Sequence, residues 1–295
     1  MKAVFILAVT LVFALAPDLA LAWGPGVHLA LGNSVLAGAG ALPPLVASLL
    51  LRNRSAFLYG CLSADIFIGK GCSVHPGHSH NWCTGFKLLR TASTPLVRAY
   101  AYGYLSHLAA DVVAHNYYVP NALWHMPSGG RISHVYVEAQ ADRRFETEHE
   151  RALALFRKSN KVADGSLLTA MDRRKLPFLV KKQIVKGSLK LFSRKTWGSS
   201  LDLADRILPW SADSRPLNAM LALSRNVVFD MLSSPENSPA VSFDPIGSRN
   251  LRRVRVLRMA GSRAHGGDLF VAPSSLTTLP VARADNPGKI RTIPA

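Results

Sequence analysis

His107, Asp111 and His115 recur every four residues in a stretch whose intervening positions are mostly Leu, Ala and Val. Four residues of an α-helix turn through ~400° and rise ~6 Å, so the three side chains form one stripe on one helix face. Imidazole and carboxylate are ligand types for divalent metals, and an i, i+4 pair can grip one ion. His107 and His115 lie ~12 Å apart along the axis, too far for one ion to take all three comfortably. The spacing therefore predicts more than one metal, with Asp111 between them and two oxygens to share. The competing explanation is a set of buried, hydrogen-bonded residues that pack one helix on another.

Further ligand types flank the stripe. His134 and Glu138 are a second i, i+4 pair, on a helix expected over residues 132–142. Asp65 is the one charge in the apolar run from Ser55 to Gly69, where a carboxylate is costly unless paired or bound to a cation; helix capping is the alternative. His75, His78 and His80 crowd a Pro- and Gly-containing loop between Cys72 and Cys83, a density that favours at least one metal ligand. Trp23 follows Ala20-Leu21-Ala22, a small-x-small cleavage signal. A cut there frees an α-amine of pKa ~7.7–8.0, a nitrogen ligand that deprotonates at little cost beside its own carbonyl. His28, five residues on, can fold back to the same ion. His125 and His149 have no matching partner and are read as structural or surface residues.

The elements that must position these residues are helical. Helix-compatible apolar order runs from His28 to Leu51; a long helix is expected over 94–115, ended by Tyr117, Tyr118 and Pro120-Asn121. The pattern is helical again from about Asp164, and Leu217 to Leu232 reads as a last core helix. Leu176 to Phe192 is amphipathic and basic, suited to an anionic membrane but more simply a solvated face. The fold class is all-α: a single helical domain over 23–235, with a basic, disordered tail over 236–295.

Met1-Lys2 and the apolar run Ala3 to Ala16 make residues 1–22 an export signal rather than a membrane span of ~20 residues. The expected location is therefore periplasmic or secreted. Of the net charge of +17 over 295 residues, most lies in residues 151–295, with 25 Lys/Arg against 10 Asp/Glu. Such a surface favours anionic partners, phospholipid head groups or nucleic acid. Cys72 and Cys83 could clip the His-rich loop, leaving Cys61 over; no C-x-x-C spacing supports a cysteine zinc site.

In order, the candidate ligands are Trp23, His28, Asp65, His80, His107, Asp111, His115, His134 and Glu138. This series resembles the zinc-dependent phospholipase C family and its relatives, the single-strand-specific zinc nucleases. The resemblance spans Trp23 to Asp142 and implies an all-helical domain holding two to three Zn2+ ions. By that likeness, Asp65, His80, His107 and Asp111 hold one zinc; His115, His134 and Glu138 a second; Trp23, His28 and Asp111 a third. Trp23-x4-His28 and Asp65-x14-His80 have the nuclease spacing, whereas Glu138 is the carboxylate of the phospholipase branch. The step from Asp111 to His115 is shorter than in either branch, and His78 competes with His80.

The implied activity is phosphodiester hydrolysis of phospholipids by metal-activated water, with Asp65 orienting that water or taking its proton. A nuclease with the same metals is the alternative and needs aromatic base stacking, for which Trp82, Tyr117, Tyr118 and Trp124 are the candidates. A third possibility is a non-catalytic membrane- or envelope-binding protein with structural zinc. No obligate protein partner is implied.

Overall fold

The structure, a computed structural model, describes residues 23–67, 78–126, 131–192, 214–262 and 267–280. The expected export signal, Cys72 and His75 lie outside these residues, so the export and Cys72–Cys83 expectations do too. The described residues are helical, with no strand among them.

The organising element is the helix expected over 94–115, here α5 (Pro95–Val113), because it is buried nearly all the way round from Ala99 onward. A helix apolar on every side belongs at the centre of a bundle. It starts where Thr94 Oγ1 accepts the Val97 N–H at 3.2 Å and Pro95 occupies the first turn, where its missing N–H costs nothing. Before it come α1 (Pro25–Ala37), α2 (Pro44–Arg52), α3 (Arg54–Ser63) with a 3-10 turn at Ala64–Ile66, and α4 (Trp82–Arg90). Helices α3 and α4 pack on α5.

The α3–α5 contact is backbone to backbone. A Cβ on Gly103 would lie 2.0 Å from the Phe57 carbonyl oxygen and one on Gly60 2.2 Å from that of Tyr100. Only glycine at both positions lets the helices approach this closely.

Helix α5 is not broken at Tyr117, Tyr118 and Pro120 as the sequence suggested. It passes through a π turn, Ala114–Tyr118, directly into α6 (Val119–His125). The polar cost of Pro120 is met from outside the helix. Its absent N–H leaves the Asn116 carbonyl without its usual α-helical donor, and Asn250 Nδ2 donates to that carbonyl at 2.8 Å.

Then follow α7 (Arg131–Arg143), α8 (Glu146–Arg157), α9 (Lys161–Met171), α10 (Lys175–Phe192) and α11 (Ser214–Ser233), the last packing along α5. The ordered domain continues past 235, into the stretch expected to be tail. Helix α12 (Ser248–Met259) packs on the π turn and α6, and α13 (Ser274–Thr277) buries Leu276 fully. Asn121 Nδ2 donates to the Phe270 carbonyl while Asn121 Oδ1 accepts the Phe270 N–H, so this stretch is tied down by backbone as well as apolar contacts. Residues 281–295 lie outside the described residues.

Candidate metal centre

Asp111 is fully buried on α5, and each of its carboxylate oxygens faces different imidazoles. Oδ2 lies 3.0 Å from His80 Nε2 and 3.2 Å from His107 Nε2; Oδ1 lies 3.2 Å from His28 Nε2. His80 Nε2 is also 3.3 Å from Asp65 Oδ1 and 2.9 Å from His107 Nε2. Yet neither Asp111 oxygen, nor His28 Nε2, has a hydrogen bond of acceptable geometry. Buried polar atoms of this kind ordinarily pair, and an exception needs a physical cause.

The tautomer of His107 supplies one. Its Nδ1 lies 2.9 Å from the Cys61 carbonyl oxygen, which can only accept, so the ring proton sits on Nδ1 and Nε2 carries a lone pair. A proton on His80 Nε2 can serve that lone pair at 2.9 Å, but it leaves both Asp111 oxygens and His28 Nε2 without a hydrogen bond, and a cation between these groups would satisfy them. Separations of 2.9–3.3 Å match the ~3.3 Å ligand-to-ligand edge of a tetrahedral zinc site with ~2.0–2.1 Å bonds. The residues fit zinc.

Three groups have ligand atoms within 4.8 Å of one another: His28, His107 and Asp111; Asp65, His80 and His107; and His115, His134 and Glu138. Each member is set by an identifiable element. His80 is held by its loop: its backbone N–H donates to His78 Nδ1 at 3.0 Å, Ser79 Oγ lies 3.1 Å from its own Nδ1, and the Tyr104 hydroxyl donates to the Ser79 carbonyl. The competition between the two loop histidines is thus decided by position: His80 enters the cluster and His78 supports its backbone. His28 stacks on His107, with ring centroids 3.9 Å apart.

Electrostatics follow from this packing. Burial pushes the Asp111 carboxyl up, but His107 and His28 outweigh it and hold the group well below the usual carboxylate range. Burial, followed by the neighbouring His107, lowers His28, which keeps its imidazole neutral.

The third group sits on the π turn. His115 is buried, its ring edge-on to His134 at 5.9 Å, and His134 Nε2 lies 2.8 Å from Glu138 Oε1, one turn along α7. The Asp111-to-His115 step that is short in the sequence runs into this turn: the π turn begins at Ala114, and His115 is its second residue. Gly247, at φ 58°, backs it; a Cβ there would lie 2.1 Å from the His115 carbonyl oxygen. Burial, then Arg255 on α12, lowers His134 to about 4.

A family model for zinc-dependent phospholipase C matches residues 27–197. The chain belongs to the zinc-dependent phospholipase C family. The family is all-α, and its members are zinc-dependent hydrolases, in agreement with the fold and with the ligand types in the three groups. No curated protein and no solved structure matches the chain. The matched region takes in every candidate ligand except Trp23. The indole Nε1 of Trp23 donates to the Ala110 carbonyl and to Ser224 Oγ, both at 3.2 Å, and its ring stacks on Tyr118. The Trp23 side chain is thus tied to the backbone next to Asp111.

One set of supporting residues escaped sequence reasoning. Asp142 accepts the Val27 N–H at 2.8 Å, capping α1 from another helix, and lies 2.5 Å from His149 Nε2. A Cβ on Gly24 would fall 2.2 Å from Asp142 Cγ, so the Gly24-Pro25-Gly26 sequence is the signal that a side chain from elsewhere must fit there. His149, read as structural or surface, is buried in this pair; His125, 3.4 Å from Asp268 Oδ1, is at the surface.

Proposed function

We propose that this protein is an exported, zinc-dependent phosphodiesterase that hydrolyses phospholipids in the manner of a phospholipase C, releasing diacylglycerol and a phosphorylated head group. The observation that carries the reading is Asp111, whose two oxygens face separate imidazole groups in a site with the spacing of zinc ligands. In this reading Asp65, His80, His107 and Asp111 hold one ion, His115, His134 and Glu138 a second, and His28 and Asp111, with the α-amine and carbonyl of Trp23 after cleavage, a third.

Bound zinc supplies Lewis-acid neutralisation of the phosphodiester and of the leaving oxygen. The three carboxylates Asp65, Asp111 and Glu138 balance only part of the charge of two or three such ions, so the site as a whole stays cationic and suits an anionic diester. The Cys61 carbonyl holds the His107 proton on Nδ1 and keeps Nε2 as a donor of electrons. Asp65 reaches solvent: its side chain is 11% exposed, against 0–2% for His28, His80, His107 and Asp111. It can therefore meet an incoming water, orient it and accept its proton.

The nuclease alternative calls for exposed aromatic faces. Tyr117 and Tyr118 are instead buried, Tyr118 against Trp23 and Tyr117 edge-on to Phe243, while Trp82 Nε1 donates to the Phe243 carbonyl. Three of the four candidates for base stacking are thus engaged in packing or backbone contacts, which favours a lipid substrate. The test is hydrolysis of phosphatidylcholine against single-stranded DNA, with metal content measured on protein starting at Trp23 and on Asp111→Asn. Release of phosphocholine, with zinc and activity both falling in Asp111→Asn, is expected; DNA cleavage without lipid hydrolysis would transfer the assignment to the nuclease.

A further inference from the structure

Helix α10 carries large apolar side chains on its outside. Leu176, Val180 and Ile184 are 74%, 56% and 54% exposed and stand four residues apart, so they form one stripe ~12 Å long. The opposite face is fully engaged: Phe178 and Leu189 are buried, and Phe178 packs against Phe67 at 5.5 Å. The helix cannot roll to hide its stripe, because Lys182 on the inner side is locked. Its Nζ lies 2.6 Å from Asp164 Oδ2 and 5.0 Å from the centre of the Tyr59 ring, and Asp164 also accepts the Tyr59 hydroxyl at 2.6 Å.

The charged side chains of α10 itself are all lysines. At 100° per residue, Lys175, Lys186 and Lys190 fall along one edge and Lys181 along the other. Arg173 and Arg174 precede the helix, and no Asp or Glu occurs from 173 through 201. Burial, then Arg173, lowers the Lys181 ammonium. A solvated helix face would carry polar side chains at 176, 180 and 184, and a helix meant for a neutral or mixed-charge protein surface would carry both signs. An apolar stripe edged by lysines matches a bilayer, with the stripe at the head-group and acyl boundary and the ammonium groups at the phosphates.

We infer that α10 is an interfacial helix that seats the protein on an anionic phospholipid surface. Its position relates it to the metal centre, since α10 packs on the 3-10 turn that carries Asp65, the more exposed side of that cluster. The inference does not require hydrolysis; it concerns binding and is tested as binding.

The experiment is co-sedimentation of the full chain with vesicles of phosphatidylglycerol and phosphatidylcholine, and with phosphatidylcholine alone, at low and high salt. The anionic vesicles are expected to retain the protein, more weakly as salt rises. The Leu176→Gln/Val180→Gln/Ile184→Gln variant should lose at least ~10-fold in partitioning, from the apolar area withheld from the lipid. Lys186→Gln/Lys190→Gln should lose affinity for the anionic vesicles alone. Circular dichroism and the melting temperature without lipid establish that each variant is folded. Equal binding by the triple variant, or no binding by the parent, overturns the inference. So does a triple variant that melts several degrees lower without lipid or changes oligomeric state in light scattering, because the stripe would then be covered by this chain or a second copy. Asp111→Asn run alongside separates the two proposals: it should bind vesicles as the parent does even if no phospholipid is hydrolysed by either.

Discussion

Replacing Gly103 by alanine tests whether the glycine crossing of α3 and α5 sets the metal centre. The added Cβ would start 2.0 Å from the Phe57 carbonyl oxygen, 2.9 Å from Gly60 Cα and 3.0 Å from the Cys61 nitrogen. Backbone atoms have no rotamer to retreat into, so the helices must separate by ~1 Å before the contact becomes tolerable. Cys61 follows Gly60 directly, and His107 stands one turn beyond Gly103. A separation of that size carries His107 Nδ1 and the Cys61 oxygen from 2.9 Å to beyond hydrogen-bonding distance.

Overpacking costs ~1–3 kcal/mol and a buried carbonyl left without its donor a further ~1–3 kcal/mol. A loss of about 2–6 kcal/mol is a large share of the ~5–15 kcal/mol that holds a domain folded. Zinc affinity should fall ~10–100-fold as well, since the imidazole loses the partner that fixes its tautomer. Urea denaturation, with and without chelator, reads the first quantity, and competition with a chromophoric zinc ligand reads the second. Gly165→Ala is the control: it lies on α9 with nothing within 4 Å of the added methyl, so it should be neutral or gain ~0.5–1 kcal/mol. A Gly103→Ala protein with the parent's denaturation midpoint and zinc affinity would refute the reasoning.

Asp164→Ala should destabilise by about 3 kcal/mol in the same denaturation assay, because it strands the buried Lys182 ammonium and the Tyr59 hydroxyl together. Asp142→Ala should cost ~1–3 kcal/mol by leaving the Val27 N–H buried without an acceptor. Burial lowers the His149 pKa, but Asp142 together with Glu146 and Glu148 outweighs it, so the net shift is upward. The stability from that pair is then present below the unfolded value of 6.5 and lost as pH rises through the folded one, and His149→Gln should flatten this alkaline limb of the melting-temperature profile. His134 behaves oppositely. Its folded value of about 4 lies below 6.5, so metal-free protein should lose stability as pH falls from 6.5 toward 4, and His134→Ala should remove that part of the acid limb. Gly247→Ala, at a positive φ and against the His115 carbonyl, should lower zinc content at the His115 group more than at the others, measured by mass spectrometry of the metal-loaded protein.

Local chemistry was enough to single out residue types that could hold a metal and the helices that bear them. His107 and Asp111, and His134 and Glu138, are four residues apart, and any helix brings such pairs to one face whatever surrounds it. The apolar residues between them said that this face is buried, and the helix-compatible order elsewhere said that the domain is all-α. Tertiary structure decided everything that depends on residues far apart in the chain. Pairing Asp65 and His80 with His107 requires the closeness that two glycines allow, and the choice of His80 over His78 rests on the hydroxyl of Tyr104. His115 lies in a π turn, and nothing in the local sequence announces a turn whose spare carbonyl is satisfied by Asn250, 134 residues away. Residues 236–280 read as tail because α12 is strongly basic, whereas burial of Leu276 and the bonds of Asn121 to Phe270 fasten that stretch to the domain. Side-chain type and spacing are local properties; the satisfaction of a buried polar group belongs to the whole fold.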